Sequence, residues 1–272
     1  MNLLFFCPRW GSEHLSWNDF FAKVKHAGYD GVEMSLPEDE AEGKIISDGL
    51  REHQLRFIGQ HWETTDSDLD VHAEAFARRL RRLANAQPLF INTQTGKDHF
   101  TFAQNESLIS LAATLAKQTG IPIVHETHRG KFSFASHITK QYLEALPSLR
   151  LTLDVSHWCT VAETFLHDQP EALALAIGRT DHIHARVGFT QGPQVNDPQA
   201  PEWKEALDFH LSCWDRVVED KKRRGVNTVT ITPEFGAPPY LPLHPYTLTP
   251  LADQWASNVF MMELLKKRYQ EF

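Results

Sequence analysis

The 272-residue chain has no apolar run long enough to cross a bilayer. Its most hydrophobic stretch, Leu3-Leu4-Phe5-Phe6-Cys7, is too short for a signal peptide, has no basic leader, and reads as a first β-strand. Cysteine is scarce. Cys7, Cys159 and Cys213 are an odd number at wide spacing with no Cys-x-x-Cys pair, which suits a reducing compartment, so a cytoplasmic location is expected. Positive charge is in deficit, 27 Lys and Arg against 35 Asp and Glu, and the net charge of -8 gives no general attraction to nucleic acid or to an anionic membrane. The local basic run Lys221-Lys222-Arg223-Arg224 precedes Gly225 at the end of a helical stripe, where cations complement a helix C-terminus. Linkers and low-complexity tracts are absent. With ordinary apolar content, residues 1–272 read as a single domain of the size of one barrel.

What the chain does contain is alternation. Eight strand-like segments, at 3–7, 31–36, 56–61, 89–93, 122–126, 150–154, 182–186 and 228–234, alternate with amphipathic helical segments. Ser16-x-x-Asp19 makes a capping box before a helix that Gly28 ends, and Asn105 is expected to open another that Gly120 closes. Eight βα units without an antiparallel hairpin signal point to a (β/α)8 TIM barrel. Two connections, 188–201 and the proline-rich 236–250, exceed what a barrel needs. They are lids or substrate loops over the mouth, or else barrel decoration or contacts in a homo-oligomer.

Four tracts at the ends of the later strands carry the chemistry: His125-Glu126-Thr127-His128, Asp154-Val155-Ser156-His157, His182-Ile183-His184-Ala185-Arg186 and Thr232-Pro233-Glu234-Phe235-Gly236. Residues two apart share a face of a strand, so Thr152 and Asp154 point one way while Leu151, Leu153 and Val155 point the other. The same parity separates His182, His184 and Arg186 from Ile183 and Val187, and Thr230, Thr232 and Glu234 from Val229 and Ile231. Inward faces at C-terminal strand ends are where barrel chemistry collects. Carboxylates converging there repel one another unless a cation binds between them. Asp154 has a second reading, as the cap of the next helix.

In their order and spacing these tracts resemble those of the xylose isomerase-like TIM barrels, the sugar phosphate isomerase/epimerase superfamily. The resemblance covers nearly the whole chain. It implies one divalent ion held by Glu126, Asp154, His184 and Glu234, with Mn²⁺, Mg²⁺ or Co²⁺ favoured and Zn²⁺ compatible with the donor set. It also implies that His157 and Arg186 contact substrate oxygens, His157 having a loop-histidine alternative. Glu33, in Gly31-Val32-Glu33-Met34, and His61, Trp62 and His128 at other strand ends are further substrate-binding candidates, and Trp10 or Trp62 could wall the pocket. His182 reads as a deeper, hydrogen-bonded histidine.

The implied activity is a sugar, sugar phosphate or polyol isomerase or epimerase, in which Glu126 and Glu234 move the proton through a metal-stabilised enediolate. Dehydration is the third outcome of the same chemistry. No carboxylate occurs between Glu126 and Glu144, and the intervening loop reads Arg129-Gly130-Lys131-Phe132, which departs from many family epimerases and leaves room for an anionic substrate. Arg129 and Lys131 are otherwise solvated loop charges. The alternatives are an endonuclease IV-like DNA repair phosphodiesterase and a non-catalytic metal- and sugar-binding barrel. Against the first stand Asn92-Thr93-Gln94-Thr95 and Val195-Asn196-Asp197-Pro198, where its additional histidines belong. The expected partner is a small carbohydrate, with no nucleic acid and no membrane.

Overall fold

A computed structural model describes residues 1–270. The strands are β1 (Asn2–Pro8), β2 (Gly31–Met34), β3 (Arg56–His61), β4 (Ile91–Thr93), β5 (Ile123–Glu126), β6 (Leu151–Leu153), β7 (Thr180–His184) and β8 (Thr228–Thr232). All pair in parallel in sequence order, and β8 returns to β1 to close the barrel. Between them run α1 (Trp17–His26), α2 (Glu40–Glu52), α3 (Leu69–Asn85), α4 (Phe102–Thr119), α5 (Ser136–Ala145), α6 (Val155–Ala162), α7 (Pro170–Gly178) and α8 (Lys204–Arg223), and α9 (Gln254–Tyr269) follows β8. The chain is a (β/α)8 TIM barrel. No helix among the described residues is long and apolar enough to cross a membrane.

Strand alternation sorts the side chains into two layers. Leu4 and Phe6 of β1, Ile58 of β3 and the partly buried Phe90 pack together, apart from the main core. Phe5 and Cys7 of β1, with Val32, Ile91, Leu151 and Ile231, join the apolar faces of the surrounding helices in the larger core. Burial of that outer layer is what fixes each strand's register, because a one-residue slip would exchange its two faces.

Helix boundaries follow local chemistry. Ser16 caps α1, its hydroxyl accepting from Asp19 N at 3.2 Å, and Gly28 just beyond the helix has φ +87°. The start of α4 differs from the expectation at Asn105. Thr101 is the cap, in a reciprocal box with Gln104, whereas Asn105 is buried one turn in. Its amide donates to Lys97 O (2.9 Å), Phe100 O (3.2 Å) and Tyr142 Oη (3.3 Å), so it braces the preceding loop instead of opening the helix. Thr101→Ala is therefore expected to cost about 1 kcal/mol. The thermal midpoint should fall by about 2–4 °C in calorimetry, and an unchanged midpoint would remove the cap from the account.

The two long connections meet over the barrel mouth. Gln194 donates to Gly236 O at 3.1 Å and accepts from Gly236 N at 2.6 Å, tying one loop to the other. Gly236 is required there by space, since a Cβ at that position would lie 1.9 Å from the Trp10 ring.

Candidate metal centre

Parallel strands of similar length deliver the ionisable groups to one level. Glu126 ends β5, Asp154 follows β6, His184 ends β7, and Glu234 lies two residues past β8. All four are buried, and one donor atom from each lies within 4.8 Å of every other. Asp154 caps the next helix and also contributes to the cluster. Its Oδ1 accepts from Ser156 N at 3.0 Å as the cap of α6, while Oδ2 faces the centre and pairs with Arg186.

His184 shows whether these residues suit a cation. Its Nε2 lies 3.0 Å from Glu33 Oε1, so that side of the ring donates to a carboxylate. Its Nδ1 is buried 2.9 Å from Glu234 Oε2 and 3.7 Å from Glu126 Oε1, yet makes a hydrogen bond to neither. A buried nitrogen aimed among three carboxylates without a hydrogen bond, on a ring anchored from behind by a fourth, has the arrangement of a metal-binding imidazole and its outer carboxylate. The cluster could hold a divalent ion.

Electrostatics agree. Burial opposes charge on the His184 imidazole, but Glu234, Glu33 and Glu126 outweigh it and hold its pKa well above the usual value. Burial raises the Asp154 carboxyl despite Arg186 beside it. For Glu234, burial is overcome by His184 and Arg186, and its pKa lies below the ordinary one. The cluster draws positive charge inward.

Arg186 lies at the mouth beside this cluster, almost fully buried. It pairs with Asp154, donates to His157 Nε2 at 2.8 Å and stacks against the Tyr240 ring at 4.8 Å. Arginine has no acceptor, so His157 must accept through Nε2 and, being held neutral by burial, carries its proton on Nδ1. That Nδ1 is buried and has no partner. His128 packs against the His157 ring, centroids 4.0 Å apart, and its Nε2 is 3.5 Å from Tyr240 Oη.

The remaining sequence candidates lie elsewhere. Glu33 sits behind His184, where it also accepts from Asn92 Nδ2 (2.8 Å) and Thr232 Oγ1 (2.5 Å) and meets His182 Nε2 at 3.0 Å. It orients the histidines and is not presented to the mouth. His61 points away from the cluster, because Gln60 takes the inward parity of β3. Both its ring nitrogens are engaged, by Thr93 Oγ1 at 2.9 Å and Thr64 Oγ1 at 2.7 Å, and its ring packs on Phe76. Trp62 is 53% exposed, and Trp10 rather than Trp62 packs edge-on to Tyr240, ring centroids 5.0 Å apart.

Three amides and one aromatic belong to the site without having been singled out. Gln60 Nε2 donates to Glu234 Oε1 at 2.8 Å, and Gln94 Nε2 lies 3.3 and 3.2 Å from the two Glu126 oxygens. Asn92 Nδ2 bridges Glu33 and Glu126. Inward parity on β3 and β4 is the signal that could have found them. Tyr240, from the 236–250 loop, also stacks on Arg129 at 4.9 Å and roofs the mouth. Nothing periodic marks it.

No family model matches the chain, and no curated protein matches its sequence. Solved structures do resemble it in fold. The 3-keto-D-glucoside 4-epimerase of E. coli, in its apo form, has a TM-score of 0.64 at 13% identity, over 98% of this chain and 100% of that one. A xylose isomerase domain containing protein from Salmonella typhimurium gives 0.64 at 13% identity, over 96% and 94%. A family 2 AP endonuclease from Brucella melitensis gives 0.61 at 14% identity, over 96% and 98%. The chain therefore shares the (β/α)8 barrel fold of these proteins.

Proposed function

We propose that the protein is a divalent-metal-dependent isomerase or epimerase of a small carbohydrate, with Glu126, Asp154, His184 and Glu234 as the metal ligands. One observation carries the reading: three buried carboxylates and the His184 Nδ1, which makes no hydrogen bond, converge at the C-terminal ends of four consecutive strands. A bound cation would supply Lewis acidity to a carbonyl and its neighbouring hydroxyl, stabilising the enediolate left when the shared C–H loses its proton.

The chain's own groups supply the rest. Glu126 and Glu234 enter the cluster from β5 and β8, three strands apart around the barrel, so they approach a substrate bound there from different sides. Each is placed to take or return a proton, and the amides of Gln94 and Gln60 fix their orientation. The His157 Nδ1–H and the Arg186 guanidinium are the donors for substrate oxygens. The fold likeness to the E. coli epimerase supports this reading. A phosphodiesterase of the AP endonuclease kind is not favoured, because amides occupy the inward positions of β3 and β4 and amides are poor zinc ligands. Asn196 and Asp197 are likewise spent within their own loop, on Trp203 and Gln199.

The test is hydrogen exchange. Metal-loaded protein is incubated in D2O with ketoses, aldoses, inososes and their phosphates, and C–H signals are followed by NMR; exchange at a carbon next to a carbonyl supports the proposal. No exchange with any member of the panel, from protein shown to be loaded, would overturn it. Arg186→Lys keeps the charge but loses the two-pronged geometry, so KM should rise about tenfold with metal content unchanged. A lysine variant with wild-type KM would reduce Arg186 to a brace for Asp154.

A further inference from the structure

The loops after β4 and β5 are zipped together on the barrel rim: Asp98 N donates to Gly130 O at 3.3 Å and Phe132 N to Thr95 O at 3.2 Å. That pairing sets Lys97 opposite Lys131. Like charges directly opposed on paired segments repel, and neither lysine has a carboxylate in salt-bridge contact among the described residues. Lys131 is only 6% exposed, which is rare for a lysine without an ionic partner. Its ammonium reaches across the end of β4 to a single acceptor, Thr64 O at 3.3 Å, so most of its hydrogen-bonding capacity is unspent. Nearby carboxylates are committed elsewhere. Glu63 pairs with Arg79 at 3.3 Å, Asp98 with His99 at 3.2 Å, and Glu126 belongs to the metal cluster. Burial, and then Lys97, push the Lys131 pKa down to about 8, and Glu126, Glu63 and Asp98 offset this only in part.

We infer that this rim is an oxyanion subsite, in which Lys97 and Lys131 grip a phosphate or carboxylate at the far end of the substrate while its carbonyl end reaches the metal cluster. The position suits that division. Gln94, which holds Glu126, lies three residues before Lys97 on the same loop, and Lys131 lies five residues after Glu126. A bound oxyanion would accept from both ammonium groups and remove their mutual repulsion. The substrate is thereby an acidic sugar, and a neutral sugar of the same carbon skeleton is a poor one. This substrate class rests on the isomerase or epimerase reading above, but the subsite itself does not.

Inorganic phosphate titrated into the wild-type protein by calorimetry is expected to bind, and Lys131→Gln and Lys97→Gln are each expected to weaken it about tenfold or more. Lys97 is the less buried of the two, so its variant keeps the test available if Lys131→Gln does not fold. Phosphate binding that survives both lysine changes but disappears with Asp154→Ala would place the anion at the metal cluster and overturn the proposal, as would no binding at all. Glu126→Gln should retain phosphate binding while losing C–H exchange, so a failure of the catalytic reading is seen separately from a failure of the subsite. With turnover in hand, Lys131→Gln should raise KM about tenfold for a ketose bearing a terminal phosphate, or for one bearing a carboxylate, and leave KM for the neutral sugar unchanged. Whichever anion responds identifies the source. An equal rise for charged and neutral sugars would make Lys131 structural and overturn the assignment.

Discussion

Glu126→Gln and Glu234→Gln are each expected to slow C–H exchange of the substrate by about 10²–10⁴-fold, the range typical of removing a general acid or base. Glutamine keeps the volume, so neither change opens a cavity. The Gln94 and Gln60 amides that now donate to the carboxylates can still meet the glutamine's carbonyl oxygen. What disappears is basicity and one anionic ligand. Substrate affinity should fall far less than the exchange rate, because His157, Arg186 and the remaining ligands are untouched. The two variants also differ in a way that identifies the faces. If each glutamate serves one face, Glu126→Gln and Glu234→Gln should block exchange from opposite substrate epimers, read by supplying each epimer separately. A variant with intact exchange from both epimers would take that glutamate out of proton transfer.

Stripping divalent ions with a chelator is the second large effect. It should abolish exchange, and it should also destabilise the fold. An ion present at about a thousandfold over its dissociation constant stabilises the native state by about 4 kcal/mol, so the thermal midpoint should drop by about 10 °C on chelation. The physical reason lies in the cluster, where four buried carboxylates, Glu33, Glu126, Asp154 and Glu234, surround His184 with Arg186 as the only arginine. In the stripped protein the carboxylates favour the protonated His184 imidazole, which would offset part of the missing charge. Asp154→Ala should erase the difference between loaded and stripped protein. A midpoint insensitive to chelator in the wild-type protein would count against a metal at these residues.

Much of this was legible in the sequence, for a reason particular to barrels. Each βα unit repeats the same polarity, so a strand-end acid or histidine in the right parity is delivered to the same mouth whatever the helices do. That is why alternation alone puts Asp154, His184 and Glu234 on one face, while Glu126, 108 residues before Glu234, joined the set through the resemblance of the tracts to a known family. Legibility fails where chemistry and parity disagree. His61 advertises itself by its imidazole, but the inward residue of that strand end is its neighbour Gln60, whose neutral amide gives no signal of its own. Glu33 was visible as a strand-end acid, yet its depth below the mouth depends on how far β2 is staggered against β7, which no single strand encodes. Asn105 looks like a helix cap because asparagine favours that role, while three backbone and side-chain partners hold it inside the turn. Tyr240 lies in a proline-rich loop whose path is set by contacts with Trp10 and Arg186, far away in sequence.

Leu4, Phe6, Ile58 and Phe90 fill the barrel interior as a single apolar stopper. A tunnel would let substrate arrive at one end while product departs at the other; a well stoppered at its base allows no such traffic. Product must leave past Tyr240 by the route the substrate took, so the two compete for one doorway. Product inhibition should then be strictly competitive, and forward and reverse reactions should share whatever delay the opening of that doorway imposes.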